Sequence, residues 1–452
     1  MKDYIVSVVL PVYNTEAYVE QTIKCILRQT IGFFEHIELI LVNNATLDGA
    51  GVICERYVEA YSDNIRYVKL TQNHGPCGAR NAGLAVATGK YINFCDSDDL
   101  WECDALEKLV AFMEVHGNEV DLVTGRVRHF EGRETWHGLD WKYANKSLQV
   151  VDISEHPEYV QLHLGSALIK TEVAKRFRHD VTLYHAEDAK YLSQLILSNG
   201  KYGLCADAVF LYRTRATGGS VLQNVNNSVR WYHDTLQGVY RFLIDESIAK
   251  FGRVIEYVQY LVMYELQWRL GANYVAEAVD REAYVREISG LLMFIEDDVI
   301  MAQRNLWLER KLYALELKYK KKSEQIREVY PVRDGLFIKS ALVFNDKLHI
   351  RGFVRFPYDL EYDELLMRVN GTEDIPVDFD TYNEHEDVFS MGKNLAHANT
   401  FFCILPCEES LQVQFVLRQG KTEIEENVRV FGNSKMEGCK AEKDRLVVSR
   451  KM

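Results

Sequence analysis

The first half of the chain alternates short, continuously apolar runs with amphipathic segments. The apolar runs have the length of β-strands, and they are residues 5–12, 37–44, 65–70 and 90–96. Amphipathic segments of helical length lie between them, for example residues 16–29 and 49–62. Continuous apolar strands separated by helices are typical of a parallel sheet that is covered by helices on both faces. The pattern therefore predicts an α/β domain of the nucleotide-binding type.

Two regions of different character follow this half. No proline occurs between Pro157 and Pro331, and apolar residues recur there at helical spacing. Short apolar runs separated by Asn, Gly, Asp and Pro come next, which predicts an antiparallel β-sandwich. We therefore place a first domain at residues 1–226, a helical region at 227–329 and a β-sandwich at 330–440. Within the helical region, a final helix is predicted at about residues 302–329.

Length, charge and cysteine content narrow the class of protein. A chain of 452 residues is too long to fold around a single hydrophobic core, so we expect two or three domains. The formal net charge of −13 argues against a nucleic-acid partner, because a surface that follows phosphates needs clustered Lys and Arg. The nine cysteines form no CxxC pair, which favours a reducing compartment. Neither a signal peptide nor an uncharged apolar stretch of membrane-spanning length is present, so we predict a cytoplasmic protein.

Acidic residues are concentrated at the end of the run at residues 90–96. Asp96, Asp98 and Asp99 place three carboxylates within four residues. Charges of one sign that lie so close repel, so a divalent cation or a displaced pKa is expected there. In open α/β sheets, ligands bind at the carboxyl ends of the strands. The segment is a candidate site for Mg²⁺ or Mn²⁺ bridging to a diphosphate, although taken alone an acidic loop is more often solvated surface or a helix cap.

Four motifs occur in order across the first half. They are SVVLPVYN at residues 7–14, VNNATLDG at 42–49, NHGPCGARNAGLAVATGKYINFCDSDD at 73–99 and HAED at 185–188. Together they resemble the family 2 glycosyltransferases of the GT-A fold, over about residues 4–220. The resemblance implies that the first domain is a GT-A catalytic domain, which is Rossmann-like. It also implies that the activity is transfer of a sugar from a nucleotide-diphosphate sugar to a hydroxyl group.

The resemblance assigns the nucleotide pocket to the ends of the first two strands. Pro11 and Val12 are expected to line the base through their backbone, and the ring of Tyr13 is expected to stack on it. Asn43 and Asn44 stand where relatives usually carry at least one aspartate that reads the base. An amide donates as well as accepts hydrogen bonds, whereas a carboxylate only accepts them. A UDP-sugar is the expected donor, and the asparagine pair leaves the identity of the base open.

The diphosphate and its metal are assigned to the third motif. Arg80 is expected near the diphosphate and ribose, because a guanidinium binds phosphate through paired donors. By resemblance, Asp98 is the main ligand of Mn²⁺ or Mg²⁺, and Asp96 contacts the ribose or the metal. Ser97, between them, belongs to the same nucleotide-binding segment.

The resemblance also assigns the acceptor side and a loop that covers the diphosphate. Asp188 is the expected general base, taking the proton of the acceptor hydroxyl as that oxygen attacks the anomeric carbon. A single displacement of this kind inverts the anomeric configuration. Glu187 is expected to orient the acceptor or an arginine, with a structural salt bridge as the alternative. Arg213 and Arg215 follow where relatives close a loop over the diphosphate, and relatives often carry a histidine near Arg215.

The regions after residue 226 resemble the accessory parts of bacterial glycosyltransferases that build cell-surface polysaccharides and wall polymers. A glycan, a wall polymer or a lipid-linked saccharide is therefore the expected acceptor. The β-sandwich is expected to mediate homo-oligomerisation or to hold a polymer. The basic run at residues 318–327 is where a peripheral contact with the inner face of the membrane is expected, although a solvated helix face is the more frequent meaning of such a run. The alternative to an enzyme is a non-catalytic scaffold that keeps the GT-A fold and binds a nucleotide or glycan.

Overall fold

The computed structural model describes most of the chain. The described residues are 2–215, 228–321, 325–326, 336–357, 364–377, 379–382, 388–407, 411–419, 422–426, 429–437, 439–441 and 445–448. Their contacts form two compact units, Met1–Val262 and Met263–Met452. The domain boundaries predicted at 226/227 and 329/330 fall outside the described residues, so they stay predictions.

The first unit is built around one mixed β-sheet. Its strands are β1 (Val6–Val12), β2 (Ile37–Asn43), β3 (Ile65–Lys69), β4 (Tyr91–Phe94), β5 (Leu100–Trp101), β6 (Leu122–Glu131), β7 (Val150–Asp152), β8 (Ala167–Lys170) and β9 (Lys201–Thr214). Their order across the sheet is β3-β2-β1-β4-β8-β6-β9-β5, with β7 beside β9. The four strands predicted from apolar runs are confirmed as β1 to β4, and they pair in parallel. Beyond β4 the sheet is mixed, because β8 runs antiparallel to both β4 and β6.

Helices cover this sheet. They are α1 (Val19–Leu27), α2 (Phe33–His36), α3 (Ala50–Ala60), α4 (Gly75–Val86), α5 (Ala105–His116), α6 (Thr171–Ala174), α7 (Glu187–Asn199), α8 (Val229–Thr235) and α9 (Phe242–Phe251). The β-branched side chains of β1 and β2 are buried, and they form one core with the apolar faces of α1 and α5. Helix α4 lies very close to β1, because a Cβ atom on Gly83 would come within 2.3 Å of Val9 Cγ1. This close approach holds the beginning of α4 beside the carboxyl ends of the parallel strands.

Helix α10 (Glu256–Leu270) contains the division between the two units, and further helices follow it. They are α11 (Arg281–Leu292), α12 (Asp297–Met301) and α13 (Leu308–Tyr319). The predicted helical character of this region is confirmed, although α13 begins at Leu308 and not at residue 302. Part of the basic run is already paired in the fold, because Lys318 Nζ lies 2.6 Å from Asp297 Oδ1. Several other residues of that run lie outside the described ranges, and the membrane contact stays a prediction.

The end of the chain is a sandwich of two six-stranded sheets. Its strands are β10 (Leu336–Phe344), β11 (Lys347–Pro357), β12 (Glu364–Val369), β13 (Glu373–Pro376), β14 (Phe379–Tyr382), β15 (Val388–Ser390), β16 (Lys393–Pro406), β17 (Leu411–Gln419), β18 (Thr422–Glu426), β19 (Arg429–Glu437), β20 (Cys439–Ala441) and β21 (Arg445–Val448). Apolar side chains of both sheets, such as Ile350 and Phe415, share one core. The predicted β-sandwich is confirmed. Its one departure from an antiparallel arrangement in the described pairings is β19, which runs parallel to β10.

Across the described residues, none of the helices combines the length and apolarity that crossing a bilayer requires.

Candidate active site

Three parallel strands end side by side at one edge of the first sheet. They are β1, which ends at Val12, β2, which ends at Asn43, and β4, which ends at Phe94. The backbone N–H of Asn44 donates to the carbonyl of Val12 at 2.9 Å, so the loops after β1 and β2 leave the sheet together. The carboxyl ends of parallel strands form the ligand crevice of an open α/β sheet. The residues predicted to bind the nucleotide are thus brought to one edge.

Tyr13 presents a ring at this edge. It follows β1 directly and is 38 % exposed, whereas Val12 before it is buried and Pro11 is partly buried. A half-exposed ring at a ligand crevice is able to stack on a nucleobase, with the adjacent backbone forming one wall. The roles expected of these three residues stay predictions.

The two asparagines after β2 are engaged within the protein. Asn43 Nδ2 donates to the Tyr67 hydroxyl at 2.7 Å, and Asn43 Oδ1 accepts from the Thr46 backbone N–H at 3.0 Å. Asn44 Nδ2 donates both to Asn73 Oδ1 at 2.9 Å and to the Gly75 carbonyl at 3.0 Å, so both of its N–H bonds are used. The bonds made by Asn44 tie the loop after β2 to the beginning of α4. Asn44 Oδ1 also accepts the backbone N–H of His74 at 2.9 Å. Base reading by these amides stays a prediction, and at Asn44 it would need the second lone pair of this oxygen.

The acidic segment after β4 is a tight turn that the side chains of Thr15 and Thr22 hold in place. The backbone N–H of Asp99 donates to the Asp96 carbonyl at 3.1 Å. The Thr22 hydroxyl lies 3.1 Å from the carbonyl of Ser97 and 3.0 Å from that of Asp99. The Ser97 hydroxyl is buried against the Thr15 hydroxyl at 2.9 Å. Ser97 therefore helps to fix the turn, and its predicted contact with a nucleotide stays untested.

Asp99 anchors the end of β9 to this turn. Its Oδ1 accepts the backbone N–H of Arg213 at 2.7 Å, while Arg213 Nε donates to the carbonyl of Asp98 at 2.6 Å. The Arg213 guanidinium also bonds Gln21 Oε1 at 2.7 Å and pairs with Glu131. Burial and the neighbouring carboxylates raise the pKa of Asp99 well above its usual range. Arg213 is therefore built into the site as a fixed element.

Asp98 faces a second arginine. Its Oδ2 lies 2.6 Å from Arg215 Nη2. Burial and the charge of Asp96 raise the pKa of Asp98, and the bond to Arg215 lowers it. The guanidinium groups of Arg213 and Arg215 each lie 4.9 Å from the centre of the Tyr18 ring. Tyr18 thus supports both arginines, a role that no motif in the sequence indicates.

Arg80 joins the acidic segment to the HAED motif. Its guanidinium is 4 % exposed, and it lies 3.0 Å from Asp96 Oδ1, 3.2 Å from Glu187 Oε1 and 2.7 Å from Asp188 Oδ1. These carboxylates raise the pKa of Arg80 well above its usual value, against the opposing effect of burial. The sequence prediction placed Arg80 near the diphosphate and the ribose. In the structure it also holds the expected base and its neighbour, because one planar fork bonds all three carboxylates.

Asp188 lies in the first turn of α7 and borders the opening of the site. Its side chain is 29 % exposed. Desolvation by the surrounding groups is the largest cause that raises its pKa to about 8, Arg80 opposes this rise, and Glu187 and Asp96 add to it. The nearby backbone N–H of Leu164 lowers this pKa. Once deprotonated, a carboxylate with such a pKa is a stronger base than an ordinary aspartate, and the deprotonated form increases as the pH rises through about 8.

A small cavity in the first unit is lined by residues between Gly125 and His163. Among them are His137 and His163, whose rings lie 6.5 Å apart, and burial lowers the pKa of both imidazoles to about 3. The Nδ1 atom of His137 accepts the Leu139 backbone N–H at 3.2 Å, and that of His163 accepts the Ser166 backbone N–H at the same distance. A neutral imidazole whose Nδ1 accepts carries its proton on Nε2. The cavity walls therefore include two imidazole donors, and His163 directly precedes Leu164.

The acidic segment fits a divalent cation in part. Asp96 and Asp98 supply carboxylate oxygens, which are ligands that Mg²⁺ and Mn²⁺ prefer. The raised pKa of Asp98 shows negative charge that a cation would relieve. Within the part of the chain that the structure describes, no group of three or more His, Cys, Asp and Glu side chains is arranged to hold a metal alone. The donor set suits a cation that completes its coordination with phosphate oxygens and water.

Comparison with known proteins identifies the domain. Residues 7–176 match the sequence model of glycosyl transferase family 2. The chain carries a glycosyltransferase family 2 domain. The predicted resemblance to this family is thereby confirmed.

The proteins similar to this chain include a protein of wall-polymer synthesis, a class that the layout of the regions after residue 226 predicted. The minor teichoic acid biosynthesis protein GgaB of Bacillus subtilis (strain 168) is 30 % identical over 458 residues, covering 95 % of this chain. The chain spans only about half of that relative, 50 % of its length.

Solved structures show the same architecture. The S. aureus TarS crystal structure superposes with a TM-score of 0.63 at 14 % identity, over 98 % of this chain and 85 % of TarS. Residues 1–349 of TarS in complex with UDP-GlcNAc superpose with a TM-score of 0.55 at 18 % identity, over 76 % of this chain and 96 % of that one. These likenesses confirm the fold class, which is a GT-A domain followed by helices and a β-sandwich.

Proposed function

We propose that the family 2 domain is an inverting, metal-dependent glycosyltransferase that moves a sugar from a UDP-sugar to a hydroxyl of a glycan or wall-polymer acceptor. The observation that carries the proposal is the network around Arg80. Asp96 lies 16 residues after Arg80 and Asp188 lies 108 residues after it, yet one buried guanidinium bonds both. An acidic segment suited to a metal–diphosphate and a carboxylate suited to an acceptor thus lie on two sides of one group.

The donor is proposed to be a UDP-sugar, bound where β1, β2 and β4 end. The half-exposed ring of Tyr13 offers a stacking surface for the base. TarS, which shares the fold, has been crystallised with UDP-GlcNAc. Arg215 borders the acidic segment and supplies a guanidinium for the diphosphate.

In the proposed reaction, Asp188 accepts the proton of the acceptor hydroxyl as its oxygen attacks the anomeric carbon from the face opposite the diphosphate. The bond from Arg80 orients this carboxylate, and Glu187 shares the same guanidinium. The acceptor is proposed to approach Asp188 past the segment that carries His137 and His163, because the cavity itself has room for about one water molecule. Asp96 and Asp98 would hold Mg²⁺ or Mn²⁺, which would stabilise negative charge on the leaving diphosphate.

The nature of the acceptor is proposed from the relatives. GgaB is a protein of minor teichoic acid biosynthesis, and it is similar to nearly the whole of this chain. A wall polymer of the teichoic-acid type is therefore the first acceptor to test. Homo-oligomerisation through the β-sandwich and a peripheral contact with the membrane are further proposals.

The test combines nucleotide binding and transfer. The melting temperature would be measured with UDP, GDP, CDP and dTDP, each with and without Mn²⁺, because a ligand that binds the folded state raises it. The variants would be Asp98→Ala, Asp188→Asn and, as a matched control, Asp207→Asn, whose carboxylate is 75 % exposed beside Lys146. We expect UDP to stabilise the protein with Mn²⁺, Asp98→Ala to remove that metal dependence, and the control to behave as wild type. Asp188→Asn is expected to keep binding and to lose transfer by about 100- to 10,000-fold.

Two results would contradict the proposal. If no nucleotide raises the melting temperature with or without metal, the scaffold alternative without donor binding is supported. If UDP binds normally but the wild type neither hydrolyses UDP-sugars nor transfers them to any polyol-phosphate or glycan acceptor, a non-catalytic nucleotide-binding scaffold is supported. Normal transfer by Asp188→Asn would remove that residue as the base without affecting the donor assignment.

A further inference from the structure

Arg215 is bonded to Asp98, the carboxylate that is proposed as the main metal ligand. Its Nη2 atom lies 2.6 Å from Asp98 Oδ2, with the Asp98 side chain and the Arg215 side chain each 23 % exposed. A carboxylate oxygen that accepts a short, charge-assisted bond from a guanidinium is a poorer ligand for a cation, because the two positive groups repel each other at that distance. Arg215 and a divalent cation therefore compete for Asp98 Oδ2.

The neighbouring Arg213 cannot take part in such an exchange. Its backbone N–H bonds Asp99, its Nε bonds the Asp98 carbonyl, and its guanidinium reaches Gln21 as well as Glu131. Arg215 lies two residues further along the chain and is more exposed. Its guanidinium lies 4.9 Å from the centre of the Tyr18 ring. A flat ring allows a guanidinium to slide while keeping a favourable cation–π contact. The structure thus places a more exposed arginine beside a buried one that several bonds hold in place.

We propose that Arg215 is an internal counter-ion that exchanges partners when the donor binds. It neutralises Asp98 in the donor-free protein, and it passes to the diphosphate when Asp98 becomes a metal ligand. This inference rests on the proposed function and deepens it, because it states how metal and nucleotide binding are linked. One charge contact is lost and two are formed in the exchange: Asp98 gains the cation as it loses Arg215, and Arg215 gains a phosphate.

The exchange has a thermodynamic signature. If Arg215 lowers the affinity for metal when nucleotide is absent and contributes to the diphosphate when it is present, then each ligand strengthens the binding of the other. Coupling between two ligands typically amounts to about 5- to 150-fold in affinity. Removing Arg215 should raise the affinity for the metal alone and lower the affinity for the nucleotide. Loss of an ordinary phosphate contact would lower the affinity for the nucleotide only.

The experiment is a calorimetric titration of Mn²⁺ and of UDP, each alone and in the presence of the other. It would use wild type, Arg215→Met, Arg215→Lys and the control Arg128→Met, whose guanidinium is exposed and lies 3.4 Å from Glu102. For Arg215→Met we expect tighter binding of Mn²⁺ alone, weaker binding of UDP with Mn²⁺ and a coupling reduced by about tenfold. Arg215→Lys keeps the positive charge but not the planar fork, so its affinities for Mn²⁺ and UDP should lie between those of the wild type and of Arg215→Met. Repeating the titrations at about 0.5 M salt removes long-range effects of the lost charge but not those of a contact pair.

The outcomes separate this inference from the proposed function. Unchanged or weaker binding of Mn²⁺ alone to a folded Arg215→Met would overturn the exchange, even if UDP binds wild type with metal as proposed. An increase in Mn²⁺ affinity that disappears at high salt, or that Arg128→Met reproduces, would overturn it as well. If UDP does not bind the wild type under any condition, the proposed donor fails, and the exchange fails with it.

Discussion

Replacing Arg80 by methionine removes the one cation that bonds the carboxylates of Asp96, Glu187 and Asp188. The guanidinium is 4 % exposed, while the side chains of these carboxylates are 46 %, 14 % and 29 % exposed in that order. Breaking a buried ion pair by removing one partner costs about 3 to 5 kcal/mol. Because water screens the more exposed carboxylates, we expect the lower end, about 3 kcal/mol of unfolding free energy.

The loss should depend on pH with a definite sign. Arg80 lowers the pKa of Asp188, so its removal raises that pKa above the value of about 8 that it has in the wild type. The folded variant then binds more protons than the folded wild type at neutral pH, and its stability relative to the wild type falls as the pH rises. The difference should be smallest well below pH 8, where Asp188 is protonated in both folded proteins, and it should grow as the pH rises through the wild-type pKa of about 8.

Urea unfolding would measure this loss of unfolding free energy. Because the chain has two compact units, the transition to follow is the one that ligand binding shifts to higher urea concentration. Arg128→Met is the matched control, because its exposed pair with Glu102 is worth about 0 to 1 kcal/mol. Arg80→Lys restores the charge without the fork and should recover only part of the stability. If Arg80→Met lost no more than the control, or if its loss did not vary with pH, the central role of this guanidinium would be refuted.

Three further predictions follow from the site and its scaffold. The rate of transfer should rise with pH through the pKa of the Asp188 cluster, near the value of about 8, because the base must be deprotonated; a profile flat from about pH 6 to 9 would contradict this. Gly83→Ala should lower the free energy of unfolding by about 1 to 3 kcal/mol, because its Cβ would clash with Val9. In a double-mutant cycle measured by urea unfolding, Val9→Ala/Gly83→Ala should lose less than the sum of the losses of the two single variants. His163→Phe should raise KM for the acceptor while leaving the affinity for UDP unchanged; a change in UDP affinity alone would place this side chain at the donor.

Much of the fold was readable from local patterns because those patterns reflect burial. Strands β1, β2 and β4 are buried on both faces and therefore appear as continuous apolar runs, whereas the edge strand β3 is partly exposed. All four lie within two residues of their predicted ends. The mixed half of the sheet was not predicted. Strand β8 is only four residues long, and its antiparallel pairing with β4 and β6 depends on contacts distant in sequence.

The candidate site was predicted as a set of residues but not as a network. The acidic segment and the HAED motif were found from their residue types and order. Nothing local indicates that Arg80 bonds both, since a hydrogen bond across 108 residues leaves no periodic signal. Likewise, the amides of Asn43 and Asn44 were expected at a base, and the internal bonds that engage them depend on Tyr67 and on the beginning of α4. The support that Tyr18 gives to two arginines is equally invisible, because a tyrosine before a helix has many possible roles.

Charge explains why metal and donor binding should be linked in this site. The carboxylates of the site outnumber its guanidinium groups: Asp96, Asp98, Asp99, Glu131, Glu187 and Asp188 face Arg80, Arg213 and Arg215. A diphosphate would add further negative charge to a pocket in which burial already raises the pKa of Asp98 and Asp99. An anionic donor therefore needs a cation to enter with it, and a cation alone must displace Arg215 from Asp98. Both requirements are met at once only when metal and diphosphate bind together, so the uneven charge of the pocket favours the complete donor over either of its parts.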